Sequence, residues 1–208
     1  MSRNWLICTL ATLLVSAAAA GTPAAGTPAA EPDTSAPSTG VQSRVPFAWE
    51  HQHTRFSYVG FTVRYSCDGL EDQVRRILVY VGARKDARVT ATGCPFASTA
   101  PARTAWVDAD FDVPVPAPAT DASTVTNAAA PGAAAQWRDV KLTPRQPEFL
   151  TPGDCELIES MKDVFTKTLH LRDVKFRTSC FPGSLSEDGF EVSGQTLKIS
   201  DPKNADAR

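Results

Sequence analysis

No apolar run in this 208-residue chain reaches the length of a bilayer, no two of its five cysteines stand in C-x-x-C spacing, and it has only three histidines. A membrane-spanning helix needs about 18 to 20 consecutive apolar residues, so none is expected once the N-terminal segment is removed. Without C-x-x-C spacing a thioredoxin-like redox centre has no foothold, and a zinc site lacks its usual ligand pairs. The chain also lacks G-x-x-x-x-G-K-[ST] and G-x-G-x-x-G, which excludes the common phosphate cradles, and it lacks the G-x-S-x-G nucleophile elbow. Neither sign of charge dominates: 21 Lys and Arg face 23 Asp and Glu, a net charge of −2. That balance excludes a generally basic nucleic-acid binder and an acidic tail protein.

What is present first concerns the compartment. Arg3 is the one charge in residues 1–20; the apolar run Trp5 to Val15 follows it, and Ala18 and Ala20 fit an A-x-A cleavage site. This reads as a secretory signal, with the mature chain starting at Gly21 and Cys8 lost on cleavage. Cys67, Cys94, Cys155 and Cys180 remain, an even number that in an exported chain reads as two disulfides. The expected location is therefore periplasmic or secreted.

Residues 21–46 contain the repeat Gly-Thr-Pro-Ala-Ala twice, and 114–136 share their Pro, Ala, Thr and Ser content. Such composition lacks the large apolar side chains that offset ordering entropy, which predicts a disordered leader and a flexible insertion. The remainder, 47–208, is expected to form a single α+β domain of two tandem β-α-β-β units. In the first, Phe61, Val63 and Tyr65 alternate as a strand. Leu70, Val74, Ile77, Leu78 and Val81 then recur at helical spacing, with Asp68 and Glu71 resembling a capping box and Gly82 placed as a C-cap. Strands follow over 88–93 and around Val107 to Val113. In the second unit, a strand over 137–142 precedes Thr151-Pro152-Gly153-Asp154, a helix start with proline at the first helical position. A helix from Leu157 to Leu169 and strands over 173–179 and 195–200 complete it. The arrangement expected is two helices on one face of a mixed sheet, compatible with a ferredoxin-like fold.

The geometry of such a unit favours Cys67 with Cys94 and Cys155 with Cys180. A strand climbs, the helix returns, and a parallel strand climbs again, so both strands end at one edge, where the sulfurs meet. An antiparallel second strand would part them by a strand length, well beyond the roughly 5.5 Å between Cα atoms that a disulfide accepts.

Candidates for chemistry are sparse. Asp108, Asp110 and Asp112 share one strand face by period two and could hold a hard cation, although the spacing lacks the glycine and terminal glutamate of an EF-hand. His51 and His53 fall on one side of an extended segment and could hold copper or zinc, although a closed site wants three or four ligands. A solvated strand face and a polar junction account for these groups more simply. Arg75, Arg76, Arg84, Lys85 and Arg88 cluster near the end of the first helix, within a stretch (47–104) holding eight basic and five acidic residues. A helix dipole alone invites such cations, but an anionic envelope surface would also suit them. Trp49, Trp106 and Trp137 are candidates to line a groove or to finish the core.

The segment from Tyr65 to Cys94, Y-S-C-D-G-L-E-x-x-V-x-x-I-L-x-x-x-G-A-R-x-D-x-x-V-x-A-x-G-C, resembles a motif of uncharacterised exported proteins of proteobacteria, and Gly153-Asp154-Cys155-Glu156-Leu157 is similar to its second half. The resemblance implies domain boundaries and a periplasmic address, and carries no residue roles. The expectation is a non-enzymatic, disulfide-stapled binding or structural module with no cofactor and an envelope partner. A small metal-dependent or hydrolytic enzyme using Asp108, Asp110 and His170, or the His51 and His53 pair, is the alternative.

Overall fold

The structure is a computed structural model that describes residues 44–94, 101–117 and 135–199. The expected signal segment, most of the expected leader and most of the expected insertion lie outside the described residues. Two units of identical topology follow one another. The first is β1 (Phe47–Val59), α1 (Cys67–Tyr80), β2 (Arg88–Thr92) and β3 (Thr104–Pro116). The second is β4 (Ala135–Leu142), a 3-10 turn (Pro152–Asp154), α2 (Cys155–Ser160), a π-helical turn (Val164–Thr168), β5 (Arg172–Thr178) and β6 (Phe190–Ile199). The tandem β-α-β-β order and the α+β class hold. The single mixed sheet does not: the strands form two antiparallel three-stranded sheets, ordered β1-β3-β2 and β4-β6-β5. A bridge between Val45 and Ala135 touches them together, so the edges of both low-complexity segments are structured.

In each unit the third strand inserts between the first two. β1 and β2 both run antiparallel to β3, hence parallel to each other, and end at the same edge. The disulfides close there: Cys67–Cys94 with Cα atoms 6.0 Å apart and Cys155–Cys180 with 5.7 Å. The expected pairing is present, although the parallel strands it relates are separated by β3 rather than adjacent.

The first strand is not where alternation suggested. Residues 60–66 form an irregular link, with the amides of Phe61 and Thr62 donating to Glu156 and the Tyr58 hydroxyl donating to the Val63 carbonyl. The true strand, β1, hides its period because its inward positions include Glu50, Gln52 and Thr54, whose register partners are Val113, Phe111 and Ala109. α1 starts two residues earlier than a box at Asp68 implies: Ser66 is the N-cap and accepts from the Gly69 amide. Glu71 instead accepts from the Ala91 amide of β2 at 2.8 Å. Gly82 ends the helix at φ 112°, a left-handed conformation that suits glycine, and a Cβ there would stand 2.4 Å from Thr196 Oγ1.

The second helix is not continuous. Its apolar stripe at Met161, Phe165 and Leu169 steps by four, and the chain widens into a π turn, closed by the Leu169 amide on the Val164 carbonyl. One core draws on both units: Leu70, Val74, Ile77 and Leu78 of α1, Leu157 and Ile158 of α2, Met161 and Phe165 beyond it, and the inward faces of the sheets. α2 packs on β1 of the first unit, while α1 reaches the second through Thr196, whose hydroxyl donates to the Val81 carbonyl.

Two buried carboxylates lock this exchange. Asp154 accepts from the Tyr65 hydroxyl, from Gln73 Nε2 at 2.8 Å, and from the Thr151 amide and hydroxyl at 2.7 and 2.8 Å. Glu156 accepts from the amides of Phe61 and Thr62 and from the Thr62 hydroxyl. Burial, followed by the nearby Asp154 charge, raises the Tyr65 phenol far above its ordinary range and keeps it a donor. Both acids therefore tie the approach to α1 onto the start of α2.

Candidate functional site: a cationic shelf at the end of α1

The sheet register decides the fate of the acidic and histidine candidates. On the outward face of the first sheet His51 faces Asp112, His53 faces Asp110 and Arg55 faces Asp108 on β3, with Arg88 of β2 opposite Asp110 on the other side. The structure thus brings together two groups that are about sixty residues apart in sequence. It joins them as a charge ladder. His51 Nδ1 lies 3.1 Å from Asp112, and Arg55 Nε donates to Asp108 at 2.6 Å. The Arg55 hydrogen bond, with help from Arg55 and His53 as charges, holds the Asp108 carboxyl below its usual range. Among the described residues no group of three or more His, Cys, Asp or Glu is arranged to hold a metal. His170 stands apart: it bonds Glu50 at 3.1 Å and Gln52 at 3.2 Å, whose side chains project from β1 opposite to His51 and His53. The grouping of Asp108, Asp110 and His170 is therefore divided between two faces of one sheet.

The basic cluster also divides. Arg75 pairs with Asp72 at 2.7 Å. Arg84 forks onto Asp86 with two contacts of 2.7 Å and reaches Asp112 at 2.7 Å, and Asp86 is held below the ordinary carboxylate range chiefly by that hydrogen bond. Arg88 joins the ladder and lines, with His51, Arg84 and Asp110, a hollow of about 340 Å³ whose charges largely answer one another. A larger cleft of about 780 Å³ on the second sheet is similar, since Arg145 pairs with Glu187 and both Lys141 and Arg177 pair with Glu191.

Arg76 and Lys85 behave differently. Neither has a carboxylate partner among the described residues, and Lys198 of β6 joins them in this. Arg76 lies over the Phe149 ring at 4.4 Å, Tyr80 meets Phe149 edge-on at 6.0 Å, and Lys198 lies over Tyr80 at 5.2 Å. Two adjoining hollows of about 420 and 380 Å³ form here, sharing Val79 and Lys85. One is floored by Val79, Tyr80 and Phe149, the other by Trp49, Val79 and Leu197. Three cations with no carboxylate partner among the described residues thus surround an apolar floor at the C-terminal end of α1. Lys198 and Phe149 come from the second unit and have no sequence spacing relative to Arg76; the fold alone assembles them.

The tryptophans do not share a groove. Trp49 stacks edge-on with Phe47 and lies beneath Arg84, Trp137 carries Arg172 at 3.6 Å, and Trp106 is 57 % exposed. Comparison with protein-family models, with curated protein sequences and with solved structures finds no match to this chain. Two disulfides suit an oxidising folding environment, and no helix among the described residues is long and apolar enough to cross a membrane.

Proposed function

We propose that the protein is a non-enzymatic, exported module of the cell envelope, stapled by its disulfides, that binds an anionic envelope component on the shelf beside α1. The observation that carries this reading is the trio Arg76, Lys85 and Lys198, which meet no carboxylate among the described residues around an apolar floor while the neighbouring Arg75 and Arg84 are paired with Asp72 and Asp86. Cations of this kind suit phosphate, sulfate or carboxylate groups, and the guanidinium of Arg76, already braced on Phe149, presents a planar fork. The histidines support the non-catalytic reading: His51 and His170 bond carboxylate or amide groups and His53 stands 3.8 Å from Asp108, and none meets a serine or cysteine nucleophile among the described residues.

Binding to dextran sulfate and to polyglutamate, followed across salt concentration, tests the proposal. Each exposed contact contributes about 0.5 to 1 kcal/mol, so R76Q/K85Q/K198Q should weaken binding roughly thirtyfold and flatten the salt dependence. Equal binding by the triple variant, or no binding to either polymer by the parent, would overturn it.

A further inference from the structure

We infer that the rim at the C-terminal end of β1, about 20 Å along α1 from the cationic shelf, is a docking surface for a lipid bilayer. The large hydrophobic side chains that stand exposed among the described residues are Val59, Phe61, Trp106, Phe181 and Leu185. They come from three segments, and the fold collects them at one end. Val59 faces Thr104 and Ser57 faces Trp106, so Val59 and Trp106 are diagonal neighbours on the outward face. Phe61 follows two residues beyond Val59 and carries Arg103 over its ring at 5.1 Å. The Gly183 amide donates to the Thr62 hydroxyl at 3.0 Å, which seats the turn holding Phe181 and Leu185 beside Phe61.

A gathering of this kind needs an apolar environment, since exposed large hydrophobics normally scatter singly. Its shape selects the occupant. The side chains ride on two turn tips and a strand end, and none of the five lines any of the hollows described above. A second copy or a folded partner would need about 800 Å² from each side, some twenty to thirty residues, which five tips do not supply. Partial entry into a bilayer needs only a few such side chains, with arginines reaching back to headgroups. Arg64 and Arg103 are exposed there without carboxylate partners among the described residues. The nearby acids are Asp68, which is itself engaged, Asp188, and Glu187, which pairs with Arg145. Charge on the rim is therefore mixed, and the apolar tips carry the attachment, with the two arginines adding preference for anionic headgroups.

Vesicle flotation tests this with the oxidised protein and phosphatidylcholine vesicles, with and without phosphatidylglycerol. The protein should float with both, more strongly with phosphatidylglycerol, and F61S/F181S/L185S should lower the bound fraction about tenfold. The emission of Trp106 should move to shorter wavelength on binding, and W106F should abolish that change. On phosphatidylcholine vesicles R76Q/K85Q/K198Q should float as the parent does, which separates this surface from the shelf, whose cations can meet only the anionic phosphatidylglycerol headgroups. No flotation with either vesicle, undiminished flotation of F61S/F181S/L185S, or loss confined to the shelf variant would overturn the inference.

Discussion

Asp154→Ala should strike the joint between the two units harder than any surface change. Asp154 is 1 % exposed and receives four hydrogen bonds. On truncation Gln73 retains the Phe149 carbonyl at 3.2 Å, and the Thr151 hydroxyl can turn to another acceptor. The half-buried Tyr65 hydroxyl is left without an acceptor, whereas the amide of the exposed Thr151 can turn to water. An orphaned buried group costs about 1 to 3 kcal/mol, so the expected loss is about 2 kcal/mol, still a large share of the roughly 5 to 15 kcal/mol that holds a domain together. Urea unfolding should show the midpoint falling by about 1 M at an m-value near 2 kcal/mol/M. Asp154→Asn, which keeps one acceptor oxygen but turns an amide donor toward Thr151, should lose about half as much. A cycle with Tyr65→Phe should give a coupling of about 1 to 2 kcal/mol, because the phenol and the carboxylate act on each other. A loss below about 0.5 kcal/mol, typical of exposed positions, would refute the idea that this carboxylate locks the units.

Three further outcomes are expected. Replacing either disulfide by a serine pair opens a loop spanning 27 or 25 residues and should remove about 3.5 kcal/mol, read from denaturant midpoints after a thiol assay confirms that the other bridge is intact. Asp86, Asp108 and Glu191 are held below their ordinary values by Arg84, Arg55 and Lys141 respectively. Their contribution is complete above the unfolded carboxylate range and is lost as pH falls through the lower folded values. Tm should therefore stay level from neutrality to about pH 5 and fall below about pH 4, and R55Q and R84Q should make that fall shallower. Gly82→Ala combines an unfavourable φ of 112° with a contact of 2.4 Å to Thr196 Oγ1, and should cost about 2 kcal/mol in thermal or urea unfolding, part of it recovered by Thr196→Ala.

Much of the frame was legible in the residue order because local physics wrote it there. Helix α1 showed its stripe and its terminal glycine, β2 and β3 showed their alternation, and the cysteines showed their pairing through the return path of the chain. The link over 60–66 misled because Phe61, Val63 and Tyr65 alternate for separate reasons: Phe61 stands out at the rim, while the Tyr65 hydroxyl seeks Asp154 across the domain. β1 went unseen because its inward face carries Glu50 and Gln52, which answer His170 in the other unit. The same distance in sequence hid the shelf. Arg76 and Lys85 stood out as cations, but their distinction from Arg75 and Arg84 lies in which ones a carboxylate reaches, and Lys198 and Phe149 arrive only through tertiary packing.

The bond from the Ala91 amide to Glu71 has a bearing on aggregation. An unpaired border strand is a template for fibril growth, since an intruding chain can zip onto its free amides. At Ala91 the Cys67 sulfur also sits 3.2 Å from the carbonyl oxygen, so both backbone groups are already covered by α1. The corresponding glutamate of the second unit, Glu159, four residues past Cys155 as Glu71 is past Cys67, meets the Thr178 hydroxyl at 3.3 Å and not a main-chain amide. Of these two border strands, β5 should therefore be the readier site of intermolecular zippering under prolonged agitation or heat, and β2 the more protected.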